Sequence, residues 1–565
     1  LDHVRLVDAH TVAEDRAVVV VGDTIWAVME GGQDWPEQLQ VQDWTGHTVI
    51  PGLIDSHVHL AHSGGYGWTG DPLARNLTAQ LGWGVLAVVD VGGPTWTVAL
   101  RDRVAQGGLI GPRIQVTGPM LTAAGGHPCE LQNDPDLCWF VDGDGGARAQ
   151  TLLDADVDGI KVALAETGID TTWPRLDVAE LAEIAETGAR VHLHVASPQD
   201  AQDGFTAGAQ HLAHVPFSEP VDSALAGLGF ESVTTTHSAS GAMVRLVDGL
   251  DLDSPALAWA PTATRVSWAA VQDNPDLLTP GWLDASRGWA DQTEANLATY
   301  IAADAPLLAG SDAGYTFVPH GLALHWELQV LVQAGLSPQQ ALEAATLRPA
   351  TTWGWDDMGL VAAGYRADLV VLSADPLADI ANTQQIALVI QAGHDTDLTP
   401  TSDALVTPGT DGFCLDARDC DAGQCDRVHH ACVDACETPF SRHGACDEDS
   451  WCAPDDGLSN STVGVCRETQ ACSWAAQDCD HPPYSETCVP RDHDTSECLP
   501  AGPQGQGETC SYADPDLRCQ PGFLCSWVNY ECYELCDPGA PDTCGVGSCR
   551  QQVAAPGVPW FGLCY

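Results

Sequence analysis

The chain has 565 residues, more than one typical domain, and its 44% hydrophobic content is enough to bury a real core. Its formal net charge is −56, from 78 acidic and 22 basic residues. So acidic a surface repels nucleic acid and anionic membranes, and no apolar run approaches the roughly 20 residues of a membrane span.

Residues 1–50 alternate short apolar runs with turns and read as a small β-unit. From Pro51 onward the pattern becomes strand, loop, helix, repeated. Strands are expected at 53–59, 85–91, 113–118, 159–164, 190–195, 210–215, 232–236 and 306–311. Helical periodicity lies between most of them, as at 178–187, 198–207 and 291–303, and continues at 322–334 and 338–346. Eight such units predict an α/β fold, a (β/α)₈ TIM barrel. Residues 366–392 return to strand character and are expected to complete the N-terminal unit as a small β-sandwich. The predicted domains are therefore 1–50 with 357–395, a barrel over 51–356, a Thr/Pro/Asp-rich linker over 396–412, and a cysteine-rich region over 413–565.

Only Cys129 and Cys138 precede residue 400, while twenty cysteines lie from Cys414 to Cys564. The spacing from Cys420 to Cys466 is echoed from Cys519 to Cys564, an internal repeat. Paired CxxC knuckles of a zinc module are missing, so an even count at this density implies disulfides and an oxidising compartment. The chain is expected to be secreted, periplasmic or at the cell surface, its signal peptide not included in this sequence, with a cell-surface or wall partner for the tail.

Barrel enzymes carry their chemistry where strands end at the C-terminal face. Here His57 and His59 end the first strand, two apart and so on one face. Lys161 lies in the fourth, His194 ends the fifth, His214 the sixth, and Asp312 follows the eighth. Lys161 is the only lysine in the chain. A bare ammonium in an apolar strand is costly, whereas a neutral amine there can capture carbon dioxide as a carbamate, an anionic ligand able to bridge two metals.

The chain resembles the amidohydrolase superfamily, in its imidazolonepropionase-like and Xaa-Pro dipeptidase-like branch. The matching residues are Pro51-Gly-Leu-Ile-Asp-Ser-His-Val-His59, Gly111-Pro-Arg113, Gly125-Gly-His127, Gly159-Ile-Lys161, Ala207-Gly208 before His214, Ala309-Gly-Ser-Asp-Ala-Gly314, and Gly364-Tyr-Arg-Ala-Asp-Leu369. The resemblance implies two divalent ions, with zinc the expected identity. One would be held by His57, His59 and Asp312, the other by His194 and His214, and both by Lys161 as N6-carboxylysine. His194 is preferred to His192 because its interval to His214 fits the family's without a gap.

The implied reaction is hydrolysis of an amide in a small-molecule substrate, an N-acyl amino acid or dipeptide, by hydroxide generated between the metals. Asp312 would move the proton, and His127 would bind the substrate or its developing oxyanion. Cys129 and Cys138 are expected to form a disulfide beside that loop. The branch's substrate-binding tyrosine has no counterpart between Tyr66 and Tyr300; His237 is the substitute suggested. The tryptophan-rich stretch 238–287 reads as a lid or pocket wall. Lactone, ester or phosphotriester hydrolysis on the same site stays open, as does a surface-binding protein in which the tail does the work.

Overall fold

The computed structural model describes residues 1–65, 73–128, 137–165, 172–278, 281–396, 398 and 399, with the backbone of short strands between Gln424 and Cys564. It divides into two compact units, one spanning Leu1–Cys129 and Asp134–Leu405, the other Glu130–Asn133 and Val406–Tyr565.

The first unit opens with four strands, β1 (Val4–Val7), β2 (Val12–Val21), β3 (Thr24–Glu30) and β4 (Thr48–Pro51). Seven parallel-sheet strands then follow: β5 (Leu53–Val58), β6 (Val85–Asp90), β7 (Arg113–Val116), β8 (Met120–Ala123), β9 (Cys138–Val141), β10 (Ile160–Ala163) and β11 (Val191–His194). The short strands β12 (His211–Leu212), β13 (Ser232–Thr234) and β14 (Leu307–Leu308) follow. The chain then adds β15 (Leu369–Leu372), β16 (Ile386–Gln391) and β17 (His394–Asp395).

β5, β6 and β10 are buried at every residue. That is what parallel strands covered on both faces require, and why they read as continuous apolar runs. The helices between them carry legible start signals. Ser197 and Asp200 form a capping box on Pro198–Thr206, and Ser337 and Gln340 do the same on Pro338–Ala344.

Parallel pairing runs β5-β6-β7 and then β8-β10-β11-β12-β13-β14. The third strand, expected over 113–118, stops at Val116, and β8 resumes beyond Thr117-Gly118-Pro119, where proline has no N–H to give a ladder. The amide of Asp158, just before β10, bonds Val116 O at 2.8 Å across this break. At the other edge Ser56 N donates to Ala309 O (3.0 Å) and Asp312 N to His57 O (2.8 Å), carrying the hydrogen bonding from the end of β14 back to β5.

The N-terminal and C-terminal strands of this unit join in one seven-stranded sheet, ordered β17-β16-β15-β4-β1-β2-β3. Its core combines Val4, Leu6, Val18, Ile25 and Val49 with Val361, Leu369, Val371 and Ile390, so segments more than 300 residues apart in sequence bury one another's apolar faces. The stretch read as a lid or pocket wall is largely helical, with helices Ala242–Val247 and Thr262–Asp273 leading to Trp282–Ala302. Among the described residues no helix is long and apolar enough to cross a membrane. In the tail, Cys425 pairs opposite Cys432 on adjacent strands and Cys525 opposite Cys532, equivalent positions of the two repeats. The side chains of the tail, and with them its disulfides, lie outside the described residues.

Candidate metal centre

β5 delivers His57, fully buried, and ends one residue before His59. The Nδ1 of His57 lies 2.9 Å from the Ala213 carbonyl, which fixes the proton on that nitrogen and leaves Nε2 with a free lone pair. The loop after β14 brings Asp312 alongside. It is buried and sits at φ +59, a conformation costly for a residue with a Cβ and typical of functional sites. Neighbouring hydrogen bonds hold it there. Asp312 N donates to His57 O, His59 N donates to Ala313 O at 2.7 Å, and Ser311 donates through N and Oγ to Asp55 at 2.9 and 2.5 Å. Gly314, at φ +99, has no alternative: a Cβ there would lie 2.3 Å from His59 O.

The carboxylate of Asp312 is 3.5 Å from His57 Nε2, 3.0 Å from His59 Nε2 and 4.0 Å from His214 Nδ1. His57, His214 and Asp312 each offer a ligand atom within 4.8 Å of the others, all three buried. Despite the short approach of His59, Asp312 Oδ1 has no hydrogen bond of good geometry. Donor atoms that converge without bonding one another are what a cation between them would organise, so the residues present fit a divalent metal.

His214 is oriented from behind, its Nδ1 2.8 Å from Thr236 Oγ1. Its ring centroid is 4.6 Å from that of His57 and 4.5 Å from that of His194. His192, on the same strand as His194, instead stacks on Trp353 at 5.1 Å and lies beside His211. Lys161 is buried completely, with Nζ 3.4 Å from His57 Nε2. Burial lowers its pKa to about 7 against the attraction of Asp312, so a substantial share of the amine is neutral near physiological pH. Burial and neighbouring positive charge also hold His57, His194 and His214 well below their usual range, in the neutral form that ligates metal. For Asp312 burial acts upward, but the His59 contact and the charges of His59, His214 and Lys161 outweigh it and keep the carboxylate ionised.

His127 stacks on Trp173, centroids 4.6 Å apart, and lies 4.9 Å from His194. His237 is buried with neither ring nitrogen hydrogen-bonded, while its backbone N donates to Glu327. Cys138 is buried at the start of β9; Cys129, the disulfide partner expected for it, lies outside the described residues.

Sequence reasoning missed four residues that position this cluster. Asp55 and Ser311 lie inside motifs already singled out, and their places two residues before His57 and one before Asp312 were the available signal. Burial raises Asp55 to about 7, against the hydrogen bonds from Ser311. Thr236 gave only a run of three threonines. Glu327 gave none: it sits fully buried on helix Leu322–Gln333 and accepts from His237 N, Ser238 N and Ser238 Oγ at 3.0, 2.7 and 2.8 Å.

Residues 48–394 match the model of the amidohydrolase family. Adenine deaminase of Deinococcus radiodurans is 33% identical over 89 residues, 16% of this chain and 17% of that protein. Ochratoxinase of Aspergillus niger is 25% identical over 420 residues, 66% of this chain and 80% of that one. A solved structure of a candidate prolidase from Bifidobacterium longum superposes with a TM-score of 0.57 at 26% identity, covering 70% of this chain and 94% of that one. The match begins at β4 and covers the parallel strands that carry the histidines: the chain belongs to the amidohydrolase family of hydrolases.

Proposed function

We propose that this chain is an exported amidohydrolase that uses two divalent ions, zinc by ligand type, to cleave an amide bond in an N-acyl amino acid or dipeptide-like substrate. The observation that carries this reading is the buried convergence of His57, His214 and Asp312, with Asp312 Oδ1 unbonded among them. In this reading the strands form a (β/α)₈ barrel. His57, His59 and Asp312 would hold one ion, His194 and His214 the other, and a carboxylated Lys161 would serve both. The carboxylation balances simply: the neutral Nζ lone pair attacks carbon dioxide, an N–C bond forms, and one proton leaves to solvent. Supporting it are the complete burial of Lys161 and its place 3.4 Å from His57.

Divalent ions at such a site supply Lewis acidity and bring the pKa of water toward neutrality. The remaining work falls to side chains. Asp312, ionised, accepts the proton of the attacking water and returns it to the leaving amine. His127, braced by Trp173 and beside His194, is placed to donate to the carbonyl oxygen as charge develops. The unbonded nitrogens of His237 suit a substrate carboxylate. The likeness to a prolidase favours a dipeptide-like amide. The tail is proposed to be disulfide-linked and to bind a cell-surface or wall partner.

Metal-loaded protein screened against N-acyl amino acids, dipeptides, lactones and phosphotriesters tests the assignment. Amide turnover abolished by Asp312→Asn is expected. Turnover of lactones or phosphotriesters without any amide would replace the amide reading.

A further inference from the structure

The stretch from Ser238 to Arg287 reads in sequence as a lid or pocket wall, and the contacts of helix Thr262–Asp273 within it are those of a fixed brace. Trp268, on helix Thr262–Asp273, is fully buried, and its Nε1–H donates to the Gly64 carbonyl at 2.7 Å. Thr264, one turn earlier on the same helix, donates its hydroxyl to Ser63 Oγ at 3.0 Å, and both residues are buried. The Gly64 carbonyl accepts a second bond from Phe317 N at 2.7 Å, and Gly64 N donates to Gly314 O at 3.1 Å. Gly64 is thus the point where the loop leaving His59 is tied to the loop leaving Asp312. It sits at φ +76, and a Cβ there would come 2.7 Å from Val318 O, so only glycine lets the two loops meet.

The same loop is gripped from other sides. Asn76 Nδ2 donates to the carbonyls of Leu60 and His62, both at 2.9 Å. His320 Nε2 lies 2.6 Å from His62 O, and Gln80 bonds the other nitrogen of His320. Nothing in this arrangement leaves Trp268 free to swing. Its removal would cost a buried carbonyl one of two partners and the loop one of its supports.

We infer that helix Thr262–Asp273 clamps the two loops that present His59 and Asp312, and that Trp268 and Thr264 are positioning residues for the metal centre. The inference rests on the reading that His59 and Asp312 share an ion. Groups that orient metal ligands without touching the metal typically change affinity about 10–100-fold when removed.

Zinc titration of metal-free protein by calorimetry, with thermal unfolding of the same samples, tests this. Trp268→Phe keeps the burial and loses the N–H; zinc is expected to bind about tenfold more weakly. Thr264→Val is expected to give a smaller loss in the same direction, and it carries the test if Trp268→Phe does not fold. Gln272→Leu, on the same helix but bonded to Leu246 and Leu250 carbonyls, is the control and is expected to lower the unfolding temperature without moving zinc affinity. Wild-type zinc affinity in both Trp268→Phe and Thr264→Val overturns the clamp while leaving the metal site standing. An equal loss in Gln272→Leu overturns it too, since the effect would then be general loosening. Wild-type protein that takes up no zinc overturns the site itself, and the clamp with it.

Discussion

Replacing Thr236 with valine isolates one hydrogen bond in the metal centre. Thr236 follows β13 at φ +45, and its Oγ1 lies 2.8 Å from Nδ1 of buried His214. Valine preserves the volume and the β-branching, so the backbone strain is unchanged and only the oxygen is lost. Leaving a buried imidazole nitrogen without a partner costs about 1–3 kcal/mol. Losing a partner behind a metal ligand costs about 10–100-fold in affinity. At about 1.4 kcal/mol per tenfold the two ranges coincide, as they should if the bond acts by fixing the ring. Zinc titration should therefore show binding weakened about 10–100-fold in Thr236→Val, while Thr236→Ser, which keeps the hydroxyl, stays near wild type. Valine binding as wild type, or serine as weak as valine, would refute the reasoning.

Other consequences can be checked on the same protein. In metal-free, carbon dioxide-free buffer the folded state holds Lys161 near a pKa of about 7 against an ordinary 10.5, so from about 7 upward the unfolded chain keeps a proton the fold has released. Stability should then rise with pH across that window, by up to about 1.36 kcal/mol per pH unit, relative to Lys161→Met; parallel urea curves for the two would contradict this. Glu327→Gln should cost about 1.5–3 kcal/mol in urea unfolding, because a buried carboxylate accepting three hydrogen bonds is replaced by an amide that cannot match all three. A chain ending after residue 399 should fold and keep zinc affinity and turnover; a folded truncation without activity would make the tail part of the catalytic unit.

The cluster of His57, His214 and Asp312 was legible because chemistry-bearing residue types recur where apolar runs end, and such runs are what doubly covered parallel strands look like. Lys161 stood out by its rarity as much as by its place. What escaped was structure set by distant contacts. Glu327 caps the start of helix His237–Ser240 from 89 and 90 residues away, and nothing local distinguishes it from a solvated helix residue. The break at Gly118-Pro119 looked like the end of a strand, although β8 resumes directly beyond it. Helix Trp282–Ala302 was visible only over its second half, because the tryptophans of its first half belong to a segment whose burial comes from packing rather than from a clean period.

The most direct test of the account concerns the bridging carbamate. Wild-type protein and Lys161→Arg, each loaded with zinc and equilibrated with carbon-13 bicarbonate, would be compared by carbon NMR. With a single lysine in the chain, the account predicts one carbamate carbonyl resonance in the wild type, absent from the variant, whose zinc uptake should also fall. Zinc-loaded wild-type protein with no such resonance, or with one that persists in Lys161→Arg, would contradict it.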